Sequence, residues 1–272
     1  MRAAALQFDV RRGEPDANLA AVTSGLLAAR DAGVELVCLP EMWPTSFPSR
    51  ETDLDAALAD TERLWRAVAQ LADRAGLAVI GSGFGRPAPD APPTNRMRLF
   101  DGARCVMEYD KVHLFTPTAE EQSFSAGSEP PATVAVCGVP VSGLVCYDLR
   151  FPEVCRVPYR AGCEVLCVAA QWPWPRTAHW RALAIGLAVW NQCFVVAANR
   201  TGSERIGRRG KTLEFPGNSL IVDPDGQVLA EGVGEPGLVA AELDLAVGRT
   251  ARRRVPVLRD SRPDRYRAWL AR

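Results

Sequence analysis

A thiol, a carboxylate and an ammonium stand at the ends of apolar runs in this chain: Cys146 in VPVSGLVCYDLRFP, Glu41 in ELVCLPEMW and Lys111 in YDKVHLF. Cys146 closes its run and is followed at once by polar Tyr147, Asp148 and Arg150. Phe151-Pro152 then opens what reads as a helix ending before Gly162. A strand–turn–helix with a thiol at the turn puts the sulfur at the carboxyl end of a strand, where open α/β sheets face a crevice. A backbone N–H just past such a turn can meet an oxyanion as it develops. Taken singly, two of the three residues have ordinary explanations, since cysteine is a common small core side chain and lysine is usually solvated. Glu41 has no evident structural job, and the three together are harder to explain by packing.

The elements that must position them alternate between strand and helix. Residues 3–8 read as a first strand. Pro15 opens a helix with Leu19, Val22, Leu26 and Ala29 on one face, closed by Gly33. Residues 35–40 form a second buried strand that delivers Glu41, and Leu64, Val68, Leu71 and Ala75 mark a second helix. Residues 77–81 give a third strand, followed by a Gly/Pro-rich loop over 82–95. Asp101-Gly102 turns a hairpin between 97–100 and 105–109, and Lys111 comes just after it. A loop over 116–127 carries Glu120 and Glu121. A second hairpin, 133–136 with 139–145, leads to Cys146. Beyond it come a strand at 165–169, the aromatic loop QWPWPR, a helix over Thr177–Asn191, a strand at 194–198 and a basic loop over 201–217. A last hairpin turns at 223–226, a final strand covers 239–243, and the chain closes on a tail.

Composition narrows the class. Apolar residues make up 47% of 272, and 32 basic residues balance 32 acidic ones, which fits one folded domain spanning 1–272 and argues against disorder or nucleic-acid binding. The sequence shows neither a secretion signal nor a membrane-spanning run, so a cytoplasmic protein is expected, with no membrane partner. Six of the eight cysteines lie in or beside apolar segments, as reduced buried thiols do. With only His113 and His179, and no Cys-x2-Cys pair, no metal site is expected, and both histidines read as hydrogen-bonded structural residues. Gly81, Gly83 and Gly85 lack the strand-to-helix context of a phosphate loop. Arg150 and Glu153 read as an ion pair holding the turn.

The contexts LPEMW, YDKVHLF and CYDLRFPE, continued by QWPWPR, NQCFVVAANRTG and DPDG, make the chain resemble the nitrilase, or carbon–nitrogen hydrolase, superfamily over nearly its whole length. The resemblance implies an α/β fold, a four-layer αββα sandwich. It also implies that Glu41 is the base, Lys111 the electrostatic stabiliser and Cys146 the nucleophile, with a further glutamate on the loop after the lysine. Glu120 matches that glutamate best, although Glu121 is adjacent. These roles are chemically consistent. A thiolate splits amide hydrolysis into two easier steps through an acyl-thioester, and a carboxylate withdrawn from water can take the thiol proton. Lys111 and the N–H of Tyr147 would neutralise the oxyanion, and no cofactor is required.

Within the superfamily the chain is most similar to the omega-amidase and deaminated-glutathione-amidase group, which implies a small amide substrate, the terminal amide of a 2-oxo acid. Its carboxylate needs a cation, for which Arg176 and Arg200 are candidates, with Trp43, Phe47, Trp172 and Trp174 as apolar walls. A nitrilase or an N-carbamoyl amino acid hydrolase would use the same triad. Two readings lie outside this class: an idle scaffold binding a partner through its Arg-rich loop and tail, and a redox sensor pairing Cys146 with Cys155. The resemblance also implies a homodimer or higher homo-oligomer, with residues 248–272, including Arg252, Arg253 and Arg254, as a solvated or subunit-contact tail.

Overall fold

The computed structural model describes residues 1–206 and 211–271. In chain order these form β1 (Arg2–Gln7), α1 (Pro15–Asp31), β2 (Leu36–Cys38), α2 (Leu54–Ala75), β3 (Ala78–Gly85), β4 (Thr94–Asp101) and β5 (Arg104–Asp110). Next come β6 (Val134–Val136), β7 (Val139–Val145), α3 (Pro152–Arg160), β8 (Val165–Ala170), α4 (Thr177–Asn191), β9 (Phe194–Asn199), β10 (Thr201–Ile206) and β11 (Lys211–Pro216). The chain ends with β12 (Leu220–Val222), β13 (Val228–Glu231), β14 (Gly237–Glu242), α5 (Leu245–Arg254), α6 (Val257–Asp260) and α7 (Pro263–Leu270).

Two six-stranded sheets carry the fold, in the orders β14-β1-β2-β3-β4-β5 and β13-β12-β9-β8-β7-β6. Each has three parallel strands at its centre, β1-β2-β3 in one and β7-β8-β9 in the other, with antiparallel strands outside them. The central strands are largely apolar because both of their faces are covered. Alternate side chains of the first sheet split cleanly. Ala3, Ala5, Leu36, Cys38, Ala78 and Ile80 pack inward against the second sheet. Ala4, Leu6, Val37, Leu39 and Val79 pack outward on α1 and α2, through Val22, Leu26, Leu64, Trp65 and Val68. α3 and α4 cover the outer face of the second sheet, giving the αββα order of layers.

Three segments depart from the sequence expectation. The loop expected over 82–95 is in part strand: β3 runs on through Gly85, fully within the buried interior, and β4 begins at Thr94. Glycine makes this possible at Gly81 and Gly83, where a Cβ would stand 2.8 Å from Leu39 Cβ and 2.9 Å from Thr61 Cγ2. These glycines let the chain after β2 and helix α2 press onto the strand. The basic loop expected over 201–217 contains an antiparallel pair, β10 with β11; its residues 207–210 lie outside the described residues. In the tail, Arg252 is not a solvated residue: it donates to the carbonyls of Gln192, Asn191 and Cys163 and lies over the Tyr159 ring. Arg253 and Arg254 are exposed. No helix among the described residues is long and apolar enough to cross a membrane.

Candidate active site

The parallel strands of both sheets end on one rim, and the polar residues that follow them converge there. Glu41 lies three residues beyond β2, Cys146 directly after β7, Gln171 after β8, and Lys111 directly after β5. Glu41 and Lys111 are each about 1% exposed, and Glu120 is 4% exposed. Lys111 Nζ donates to Glu41 Oε1 at 2.8 Å and to both Glu120 oxygens at 3.0 and 2.8 Å. Asn95 Nδ2 donates to the same two carboxylates, at 2.9 Å to Glu41 and 3.2 Å to Glu120. The Phe115 backbone N–H holds Glu120 Oε2 at 2.6 Å. Of the two adjacent glutamates only Glu120 turns inward, and Glu121 is exposed.

Cys146 begins a short 3-10 helix, Cys146–Arg150, with φ of 46°, the left-handed region that non-glycine residues rarely occupy. Asp148 holds this turn. Its fully buried carboxylate accepts from Tyr109 Oη at 2.8 Å, from the Val145 N–H at 3.3 Å, and from the His113 N–H and Nδ1 at 3.0 and 2.8 Å. Tyr109 and His113 stand two residues either side of Lys111, so one carboxylate ties the thiol turn to the lysine loop. His113 also stacks on Phe151 at 3.6 Å. The N–H of Tyr147 falls in the first turn of the short helix, where no preceding turn supplies acceptors. Cys155 is buried, with its sulfur on the carbonyl of Asp148.

Burial raises the proton affinity of Glu41 above the ordinary carboxylate range; Lys111 opposes this and Glu120 reinforces it. Burial alone would lower Lys111, but the charges of Glu120 and Glu41 outweigh it and hold the ammonium fully protonated. Burial also raises the Cys146 thiol well above its usual range, Glu41 adds to that, and Lys111 together with a hydrogen bond from the Gln171 backbone counteracts it. The resting sulfur is therefore a thiol beside a carboxylate of raised basicity, a pair suited to proton transfer at the moment of attack.

A narrow pocket of about 40 Å³ opens above these groups. Glu41, Lys111, Glu120 and Cys146 line its floor, and Phe47, Phe115, Tyr147, Trp172, Leu213 and Phe215 its walls. Arg150 and Arg176 complete the rim. Arg150 lies 4.8 Å from the Trp172 ring, with His179 Nδ1 at 3.1 Å, and Arg176 lies 5.8 Å from the Phe115 ring. Neither guanidinium has a carboxylate within 4.0 Å among the described residues. Phe47, Trp172, Arg176 and Tyr147 thus line this pocket, and four other expectations are corrected. Arg200 is about 1% exposed and does not line the pocket, because Asp9, Glu204 and Gln171 hold it in the interior. Trp43 is fully buried, packed edge-on against Trp65 at 5.2 Å. Trp174 is 59% exposed and is not among the residues that line the pocket. Arg150 does not pair with Glu153 but joins the pocket wall. Asn95 and Gln171 were missed: Asn95 sat in a segment read as loop, and Gln171 carried the same signal as Glu41, a polar residue just past a buried strand.

The fold and this site define a thiol hydrolase of the αββα sandwich class. Residues 2–253 match the family model described as carbon-nitrogen hydrolase, and the chain belongs to that family. It is 38% identical to the 2-oxoglutaramate amidase of Bacillus subtilis over 262 residues, 96% of this chain and 97% of that protein. It is 30% identical to omega-amidase YafV of Escherichia coli K12 over 238 residues, 87% of each chain. Among solved structures it superimposes, with a TM-score of 0.84, on an amidase from Nesterenkonia sp. AN1, covering 99% of this chain and 96% of that one at 28% identity. That structure is a glutamate-to-glutamine mutant with the acetamide moiety of fluoroacetamide covalently added at the active-site cysteine.

Proposed function

We propose that the protein hydrolyses the terminal amide of a small 2-oxo acid such as 2-oxoglutaramate, releasing ammonia and the dicarboxylic acid. The observation that carries the reading is the contact of Lys111 with Glu41 and Glu120 at the floor of a pocket that also exposes Cys146. In this reading Glu41 takes the thiol proton as the sulfur attacks the amide carbon. The C–O π electrons move onto oxygen, and Lys111 and the Tyr147 N–H stabilise that oxyanion. Its collapse breaks the C–N bond, Glu41 returns the proton to nitrogen, and ammonia leaves from an acyl-thioester. A water then gives a proton to Glu41 and attacks the thioester carbon; the sulfur leaves and recovers that proton. Glu120 keeps Lys111 aimed at the oxyanion and orients the water. The flat amide fits between Phe115, Tyr147 and Trp172, and Arg176 receives the distal carboxylate, a role for which its lack of an acidic partner among the described residues and the named relatives both speak.

The test is ammonia release from 2-oxoglutaramate, succinamate, a nitrile and an N-carbamoyl amino acid, by wild type and Cys146→Ala. Turnover of the first two that disappears in the variant supports the reading. Preference for the nitrile or carbamoyl compound would keep the triad and move the substrate. A reducing, cytoplasmic setting belongs to the same proposal, since all eight cysteines are free thiols. So does self-association through the tail, where α7 leaves Tyr266, Trp269 and Leu270 uncovered.

A further inference from the structure

Gln171 makes two hydrogen bonds to one residue. Its backbone N–H donates to Glu41 Oε2 at 3.0 Å, and its side-chain Nε2 donates to the Glu41 carbonyl at 2.9 Å. The Glu41 N–H in turn approaches the carbonyl of Ala170 at 3.4 Å. Glu41 follows β2 of one sheet and Gln171 follows β8 of the other, so these bonds stitch the two sheets together at the point of chemistry. Cys146 lines the same pocket beside that carboxylate, and the Gln171 backbone offsets part of the upward shift of its thiol. A peptide N–H bonded to the carboxylate beside the thiol must be held in direction, because hydrogen-bond strength falls steeply with misalignment.

Arg200 supplies the hold. Its guanidinium donates to Gln171 Oε1 at 3.0 Å, the one acceptor of that side chain, and is itself fixed by Asp9 at 2.8 Å, by Glu204, by the Thr201 carbonyl at 3.1 Å and by the Phe215 ring at 4.6 Å. Glu204 is shared with Arg12 and Ser46. A buried arginine with this many partners cannot also bind substrate, and its planar fork reaches several acceptors that an ammonium could not serve together. We infer that Arg200 and the Gln171 side chain form a positioning clamp that aims the Gln171 backbone N–H at Glu41, the carboxylate beside Cys146. Neither side chain reacts; each acts through that N–H. The inference rests on the reading of Glu41 and Cys146 as the reacting pair. The charged groups around that pair are Lys111 and Glu120, with Arg150 and Arg176 in the same pocket, and the variants leave all four in place.

The experiment follows alkylation of Cys146 by iodoacetamide as a function of pH, read by peptide mass spectrometry, with exposed Cys105 and Cys137 as internal references. It compares wild type with Gln171→Met, Arg200→Lys and the double variant. Gln171→Met keeps the side chain's length and packing while removing its three hydrogen bonds, to the Glu41 carbonyl, to Ser46 Oγ and from Arg200. The expected result is roughly tenfold less reactive thiolate at a given pH for each single variant, the loss that follows when a charged acceptor loses one donor. The double variant should fall no further than the worse single one, as members of one unit do. A Cys146 curve that stays at the wild-type position in folded Gln171→Met overturns the clamp, and so do losses that add in the double variant. A general loosening of the fold would open the buried Cys38, Cys163, Cys167 and Cys193 to alkylation as well, and that result also counts against it. Because the readout needs no substrate, a wild type that turns over no amide would defeat the functional reading and leave this comparison intact.

Discussion

Lys111 Nζ lies 2.8 Å from Glu41 Oε1, and both side chains are about 1% exposed. With Glu120 on the other side of the ammonium, two buried carboxylates share one buried cation. Such a cluster is costly to assemble, because charges leave water, and costlier to break, because the remaining charges are left unpaired. Lys111→Met should therefore destabilise the fold by about 3 kcal/mol or more, and it should abolish turnover. Denaturant unfolding together with ammonia release would check both, and a stable, active Lys111→Met would remove the lysine from the mechanism.

The pH dependence follows from the direction in which burial moves Glu41. As a base the carboxylate must be ionised, and its raised proton affinity means that it takes up a proton at a pH above the ordinary carboxylate range. Activity should thus fall on acidification earlier than an exposed glutamate would allow. At high pH the raised Cys146 thiol deprotonates late, so kcat/KM should hold a plateau well into the alkaline range. In Glu41→Gln turnover should drop by at least a hundredfold or so, the usual order for a lost general base. A profile with its acid limb in the ordinary carboxylate range would contradict this assignment.

Arg176 should decide selectivity and not rate. Replacing it with methionine should raise KM for a carboxylate-bearing amide by roughly ten- to a hundredfold, as expected for one charged hydrogen-bonded contact, and leave a neutral amide nearly unaffected. Equal losses on both substrates would assign the carboxylate to another group, with Arg150 on the same wall as the first candidate.

Asp148 joins the thiol turn to the lysine loop through four donors. Asparagine in its place presents one oxygen and one amide where two carboxylate oxygens now accept. Asp148→Asn should cost about 3 kcal/mol of stability, with a fall in kcat because Cys146 and Lys111 are no longer in register. Tyr109→Phe removes one neutral donor from the same carboxylate and should cost only about 1 kcal/mol. If the two variants melt together with wild type, the carboxylate is not the fastener described.

The tail offers a test of assembly. Trp269 and Leu270 are 58% and 77% exposed on α7, which buries none of its own residues. Trp269→Glu should lower the mass in light scattering if this face joins a second copy of the chain. An unchanged mass would leave the tail outside the subunit contact.

Local patterns along the chain determined which residues are chemical and what carries them. Short apolar runs bounded by turn signals before Glu41 and Cys146, and a hairpin strand before Lys111, read as strands with a polar side chain at the carboxyl end, and the helices from Pro15 and over Thr177–Asn191 are written in their periodicity. The glutamate pair after Lys111 was ambiguous in sequence because adjacent residues share every local signal. Only the fold of the loop, with the Phe115 N–H and Lys111 on one side, decides that Glu120 faces inward. Tertiary structure likewise decided the fate of the cations. Arg150, Arg176 and Arg200 are alike as residues, yet Glu204 of β10 and Asp9, two residues past β1, draw Arg200 into the interior, and the other two are left facing the pocket. Such pairings join residues up to 191 positions apart, and they exist only once the two sheets have closed on each other.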